Sequence, residues 1–379
     1  VSTPPLRYCC ILLTALVTLA GLVATALTRT PLAAALRSSR PAEARVTPRA
    51  SPITPDPQQG YIFRFLPSTG VFSGTFPIPL PGSRPIGVAA VAGTGHQDIW
   101  FTLSDANLIG RLIYTDTAHT SFVTYTIPTA NSIPLNVTYS GGAVWFTEYA
   151  GNRIGRLDPA TGVIIEYIVP TANSGPADIG AAPDGTLWFS EQTGNKLGSL
   201  NPISGTLTEY SDPGTQSPQQ PYGIFVQNDN TIWVTEPNRG WVSRLIPPNG
   251  WSPVGIGAGT YPYDLAVDGV GIPWVLERGI NGICGIITGT LQGCLYQYPI
   301  PAPASAPAAI VIENNTSRWF TESGANQLGH MTGPPNVAFQ EYPLPVPGLW
   351  PQGLALASDG SLWIAAQPRQ QLYQPLIFR

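Results

Sequence analysis

Tryptophan recurs at Trp100, Trp145, Trp188, Trp233, Trp274, Trp319 and Trp363, at intervals of 45, 43, 45, 41, 45 and 44 residues. Each sits in a short apolar run of four to seven residues, the length of a strand and too short for a helix. Turn signals rich in Gly, Pro, Asn and Asp separate the runs. Seven copies of a strand-rich unit at this period constrain the fold to an all-β, seven-bladed β-propeller with four-stranded blades. Composition agrees: the chain holds 40 Gly and 41 Pro, and only 11% of its residues are charged, which suits tight turns and argues against long solvated helices.

Each unit reads as four strands. Strand a follows a proline, as in Pro221-Tyr222-Gly223-Ile224, and a turn such as Pro183-Asp184-Gly185 leads to strand b, Leu187-Trp188-Phe189-Ser190-Glu191. A polar turn ending in Asn precedes strand c, as in Asn152 to Leu157, and Pro159 to Gly162 leads to strand d, Val163 to Ile168. Glycine in these turns supplies positive φ without a steric penalty. The last unit has strands a and b, then a candidate strand c at 371–377, and no strand d. The N-terminal stretch 61–78 reads as strands c and d without a and b. Residues 71–78 are expected to complete the last blade and close the ring, which leaves the strand c at 61–66 without an assigned place.

Upstream, residues 9–27 form 19 uncharged residues after Arg7, with Ala24-Thr25-Ala26 as an A-x-A cleavage site. Residues 1–36 are expected to be a secretory signal peptide or an uncleaved membrane anchor. Residues 37–59, rich in Arg, Pro, Ser and Ala, read as a disordered linker, and residues 60–379 as the propeller. The protein is then secreted, or anchored and facing outside. Cys284 and Cys294 flank a c–d turn, either as a disulfide suited to an exported protein or as two reduced core thiols. A net charge of −4 excludes the basic footprint of a nucleic-acid binder. A monomer is the expected state.

The units Trp145-Phe146-Thr147-Glu148, Asn152-Arg153-Ile154-Gly155-Arg156 and Glu166-Tyr167-Ile168-Val169-Pro170-Thr171 resemble the virginiamycin B lyase (streptogramin lyase) family, over about residues 61–379. The resemblance implies a seven-bladed propeller that opens cyclic depsipeptides by Mg2+-assisted elimination. Two histidines in Pro-His-[AG]-Ile motifs open strand a of neighbouring blades, a Glu precedes one of those pairs, and another Glu closes a W-F-x-E strand. A cation polarises the ester while a neutral imidazole takes the α-proton. Here the matching openings are Pro85-Ile86, Pro134-Leu135, Pro176-Ala177, Pro221-Tyr222, Pro262-Tyr263, Pro307-Ala308 and Pro351-Gln352, without a His and without a preceding Glu. His96, His119 and His330 fall elsewhere and read as surface or structural.

Two sets of residues are candidates for a site. The acids that end strand b, Glu148, Glu191, Glu236, Glu277 and Glu322, would form a ring holding Mg2+ or Ca2+ if they faced the axis. Otherwise each accepts local hydrogen bonds in its b–c turn, with Asn152, Asn195, Asn238 and Asn326 as partners. The strand a openings offer Asn136, Asp178, Tyr222, Tyr263, Asp264 and Gln352, a set suited to a small molecule, glycan or peptide at one mouth. The tryptophans are assigned to packing between blades. The expected function is a ligand- or partner-binding module. The alternative is a Mg2+-dependent carbon–oxygen lyase acting on a cyclic depsipeptide or related ester, with Asp178 or Asp264 as base.

Overall fold

The computed structural model describes residues 56–211, 219–248, 250–286 and 293–369. The expected signal or anchor (1–36), most of the linker and the candidate strand at 371–377 lie outside them. The described chain forms seven antiparallel four-stranded sheets and a single 3-10 turn, Pro237–Arg239. Blades 1 to 6 occupy residues 85–126, 134–168, 176–210, 224–255, 262–299 and 307–343, each with strands a to d in chain order.

Blade 7 closes the ring. Its strands a and b are Leu349–Leu356 and Leu362–Pro368, and the N-terminal strands Tyr61–Leu66 and Val71–Pro77 add c and d. The expected closure by 71–78 holds, but the N-terminal strand c is not surplus: Tyr61 to Phe65 pair with Ala366 to Leu362. Burial explains this. Tyr61, Ile62, Phe63 and Phe65 are all fully buried, so this strand is covered on both faces, as an inner strand must be.

The core is divided into seven clusters, each spanning two neighbouring blades and each holding one repeat tryptophan. Trp145 of blade 2 packs with Ile179, Leu187 and Phe189 of blade 3, and Trp363 of blade 7 with Val88, Ile99 and Phe101 of blade 1. A buried indole removes roughly 200 Å² from water, on the order of several kcal/mol per interface. That is why the tryptophan repeats.

Polar fasteners recur beside these clusters. Glu166, in strand d of blade 2, accepts the Thr129 N–H and hydroxyl from the end of blade 1, both at 2.8 Å. Glu209 does the same for Thr171 at 2.7 and 2.8 Å. Asn152 adopts φ 54°, a left-handed conformation that Asn tolerates. Its amide donates to Val169 and Thr171 carbonyls, and its oxygen accepts the Ser174 N–H and hydroxyl. Cys284 and Cys294 are joined as a disulfide across blade 5.

Candidate functional site

Strand a is aimed at the axis by a repeated irregularity. In blade 2 Pro134 pairs with Glu148 and Val137 with Phe146, so two residues on strand a face one on strand b. Such a bulge bends the strand and turns side chains out of the regular alternation. The same shift follows Pro85, Pro176, Pro262, Pro307 and Pro351. The bulged segments are pinned by the hydroxyl residue before the strand b acid. Thr147 Oγ1 accepts the Asn136 N–H at 3.1 Å and donates to Ala177 O of blade 3 at 2.9 Å. Ser190 and Thr235 repeat this, donating to Tyr222 O at 2.7 Å and Tyr263 O at 3.0 Å. Sequence reasoning missed this fastener, although its signal, a Thr or Ser in W-x-[ST]-E, is visible in the repeat.

The openings converge on an axial cavity of about 100 Å³. All six residues expected at the mouth, Asn136, Asp178, Tyr222, Tyr263, Asp264 and Gln352, line it. Tyr263 donates its hydroxyl to Tyr222 at 2.9 Å, with ring centroids 4.5 Å apart. The Arg278 guanidinium lies 4.5 Å from the Tyr263 ring, a contact the sequence reading did not include. Burial first, then Tyr263, raises the Tyr222 hydroxyl well above its ordinary range.

The two aspartates are structural acceptors. Asp178 takes the N–H groups of Ile179 and of Ile224 in blade 4, both at 2.8 Å, and the amide of Asn136 in blade 2. Asp264 takes the N–H groups of Leu265 at 2.8 Å and of Ile310 in blade 6 at 2.9 Å. Burial raises the proton affinity of both, and the Asp178 charge adds to the effect on Asp264.

The five strand b glutamates are fully buried, but none lines the axial cavity. The expected ring around the axis is not what the side chains form: each acid has partners within its own blade. Glu148 faces Glu166 and Arg153, and Glu191 faces Glu209 and Lys196. Glu236 accepts from Ser243 and lies 3.4 Å from Arg239. Glu277 accepts from Gln297 at 3.0 Å, and Glu322 from Gln327 at 3.2 Å. Asn152, Asn195 and Asn326 bind the d-to-a connection instead of these acids. Burial is the main cause that lifts Glu148 to about 8 and Glu191 and Glu322 to about 7, with Glu166, Glu209 and Glu341 contributing charge.

The residues implied to hold Mg2+ do not suit it. Among the strand b acids, Glu236 already has a cation beside it and Glu277 an amide, and no acid precedes the proline at any of the seven strand a openings. The histidines lie away from the mouth. His119 is exposed beside Asp116, His96 hydrogen-bonds Thr94 O, and His330 stacks on Trp319 at 3.9 Å.

A family model described as the virginiamycin B lyase family matches residues 71–372. A virginiamycin B lyase of Nocardia farcinica (strain IFM 10152) is 32% identical over 233 residues, a stretch that spans 62% of this chain and 62% of the relative. Among solved structures, a streptogramin B lyase superposes with a TM-score of 0.69 at 29% identity, over 82% of this chain and 96% of that one. The virginiamycin B lyase of Staphylococcus aureus, solved in a catalytically inactive form with quinupristin, gives 0.65 at 27% identity, over 75% and 94%. With the repeat, the ring closure and these likenesses together, the chain belongs to the virginiamycin B lyase family.

Proposed function

We propose that this propeller is an exported ligand-binding module whose axial mouth holds a small polar molecule, glycan or peptide without the family's elimination chemistry. The observation that carries this is the pair Tyr222 and Tyr263. They stand in Pro221-Tyr222-Gly223-Ile224 and Pro262-Tyr263-Asp264-Leu265, strand a openings of neighbouring blades and of the kind in which the resemblance implies the family's two histidines. The Tyr222 phenol, whose proton affinity is raised by burial, keeps its proton at neutral pH and is a poor base. Asp178 and Asp264 do not replace the imidazoles, because their oxygens are taken by backbone N–H groups. A cavity of about 100 Å³ admits only an edge of a ligand, since enclosing sites are typically several hundred Å³. The half-buried Asn136, Tyr222 and Gln352 would grip that edge. The Cys284–Cys294 disulfide supports export, which fractionation and reactivity toward a thiol reagent would check.

The test is incubation of the full chain with quinupristin and Mg2+. Elimination leaves the mass unchanged, so ring opening appears as a new chromatographic peak of identical mass. The expected result is unaltered quinupristin over hours. A Mg2+-dependent isobaric product that grows linearly with protein concentration would replace the binding-module reading with that of a lyase.

A further inference from the structure

The seven blades differ in what covers the face of the repeat tryptophan. Arg111, Arg156, Arg244 and Arg64 lie opposite Trp100, Trp145, Trp233 and Trp363 on strand c. Their guanidinium carbons stand 5.0, 5.7, 5.7 and 5.9 Å from the indole centroids. His330 stacks on Trp319. Blade 5 has Gly285 opposite Trp274, and Arg318 of blade 6 reaches over instead, at 3.6 Å. In blade 3 the residue opposite Trp188 is Ser199, and among the described residues no cation covers that indole. A groove of about 430 Å³ opens there, lined by Trp188, Tyr210, Ser199, Thr206 and Thr208 among others, all uncharged.

Blade 7 shows what this scaffold holds at the same place. Arg64 lies over Trp363 and pairs with Asp359 at 2.8 Å. Asp359 sits four residues before Trp363, in the a–b turn, where it also accepts the Ser361 N–H at 2.9 Å. Asp184 sits four residues before Trp188, in the matching Pro183-Asp184-Gly185 turn, and accepts the Thr186 N–H at 2.9 Å. Among the described residues no Lys or Arg lies within ion-pair distance of Asp184. Blade 3 thus keeps the aromatic face and the carboxylate and replaces the guanidinium with a serine.

We infer that the groove beside Trp188 is a second binding site, which takes the guanidinium group of an arginine side chain supplied from outside the chain. The planar cation lies against the small part of the buried Trp188 indole that the groove leaves open, beside the Tyr210 ring. Its five N–H donors meet the hydroxyls of Ser199, Thr206 and Thr208 that line the groove, and Asp184, in the turn that leads to the lining residue Thr186, supplies the charge from outside the lining. The site is separate from the axial mouth and does not depend on the reading given for it.

Saturation-transfer NMR on the full chain, with Nα-acetylarginine amide as the probe, tests this. The expected dissociation constant is on the order of tens of millimolar, the strength of one cation–π contact with one exposed ion pair. The citrulline analogue, which keeps the shape and loses the charge, is expected to bind about tenfold more weakly. Ser199→Arg, which installs the arrangement of the other blades, is expected to weaken probe binding at least about tenfold, and Asp184→Asn about threefold. Equal binding of citrulline and arginine would overturn the proposal. So would undiminished binding to a folded Ser199→Arg protein, or saturation by methyl α-glucoside with none by arginine. If Ser199→Arg does not fold, the citrulline comparison on the unaltered chain and Asp184→Asn still decide.

Discussion

Replacing Glu148 by Gln is expected to stabilise the propeller at alkaline pH and to leave it almost unchanged in acid. Glu148 is fully buried, and its pKa is lifted to about 8, first by burial and then by the Glu166 charge, with the Ser132 hydroxyl and the Arg153 charge opposing only in part. A carboxyl group that binds its proton more tightly when folded contributes stability that is fully present below the unfolded value of about 4.5. That contribution is lost as the pH rises through the folded value. At about 1.4 kcal/mol per tenfold change, the loss for Glu148 at pH 7 to 8 is on the order of 3–4 kcal/mol. The Gln side chain copies the neutral acid and carries no such loss. For a domain of this size that is a melting temperature raised by on the order of 5 °C at pH 8, with little difference at pH 4.5. Melts of both proteins by circular dichroism across pH 4.5 to 8.5 measure it. A difference independent of pH would refute the reasoning. A Gln variant that is less stable than the parent only when Mg2+ is present would show instead that the acid holds a cation.

Two further outcomes follow from the same geometry. Asp178→Asn turns an amide N–H2 toward donors that need acceptors, the Ile224 N–H or the Asn136 amide, and is expected to cost roughly 1–3 kcal/mol at neutral pH, read as a shifted urea midpoint. Reducing Cys284–Cys294, or changing both residues to Ser, opens a cross-link ten residues apart in sequence and is expected to cost roughly 2–3 kcal/mol, read by melts with and without reductant.

The blade count was legible because each interface needs the same large apolar wedge, and only Trp at fixed spacing supplies it. The six mouth residues were legible because strand a begins at a proline in nearly every unit. The direction of the strand b glutamates was not legible. They end a strand whose partner is bulged after Pro134, Pro176, Pro262 and Pro307, and a bulge changes which residues face inward without changing the alternation in the sequence. The closing strand was ambiguous for a different reason. Residues 61–66 and 371–377 both read as strand c, and the pairing of Tyr61 to Phe65 with Ala366 to Leu362 is what assigns the place to the N-terminal strand.

The axis also shows why this ring keeps the family's architecture while its openings change. The second residue after each strand a proline is Gly87, Asn136, Asp178, Gly223, Asp264, Ala309 or Gly353. Where it is acidic it binds the N–H of the next blade, and where it is glycine the next blade comes too close for a side chain. A Cβ at Gly223 would lie 2.6 Å from Tyr263 O and 2.9 Å from the Asp264 Cα. Those two conditions fix the spacing between blades 3, 4 and 5 independently of the residue directly after the proline. Tyr222 and Tyr263 occupy that neighbouring position, and their side chains join blades 4 and 5 through the hydroxyl bond of 2.9 Å between them. The backbone spacing thus rests on the second residue after the proline, while the first presents its side chain to the cavity, so ring closure and the lining of the mouth are carried by different residues of the same short segment.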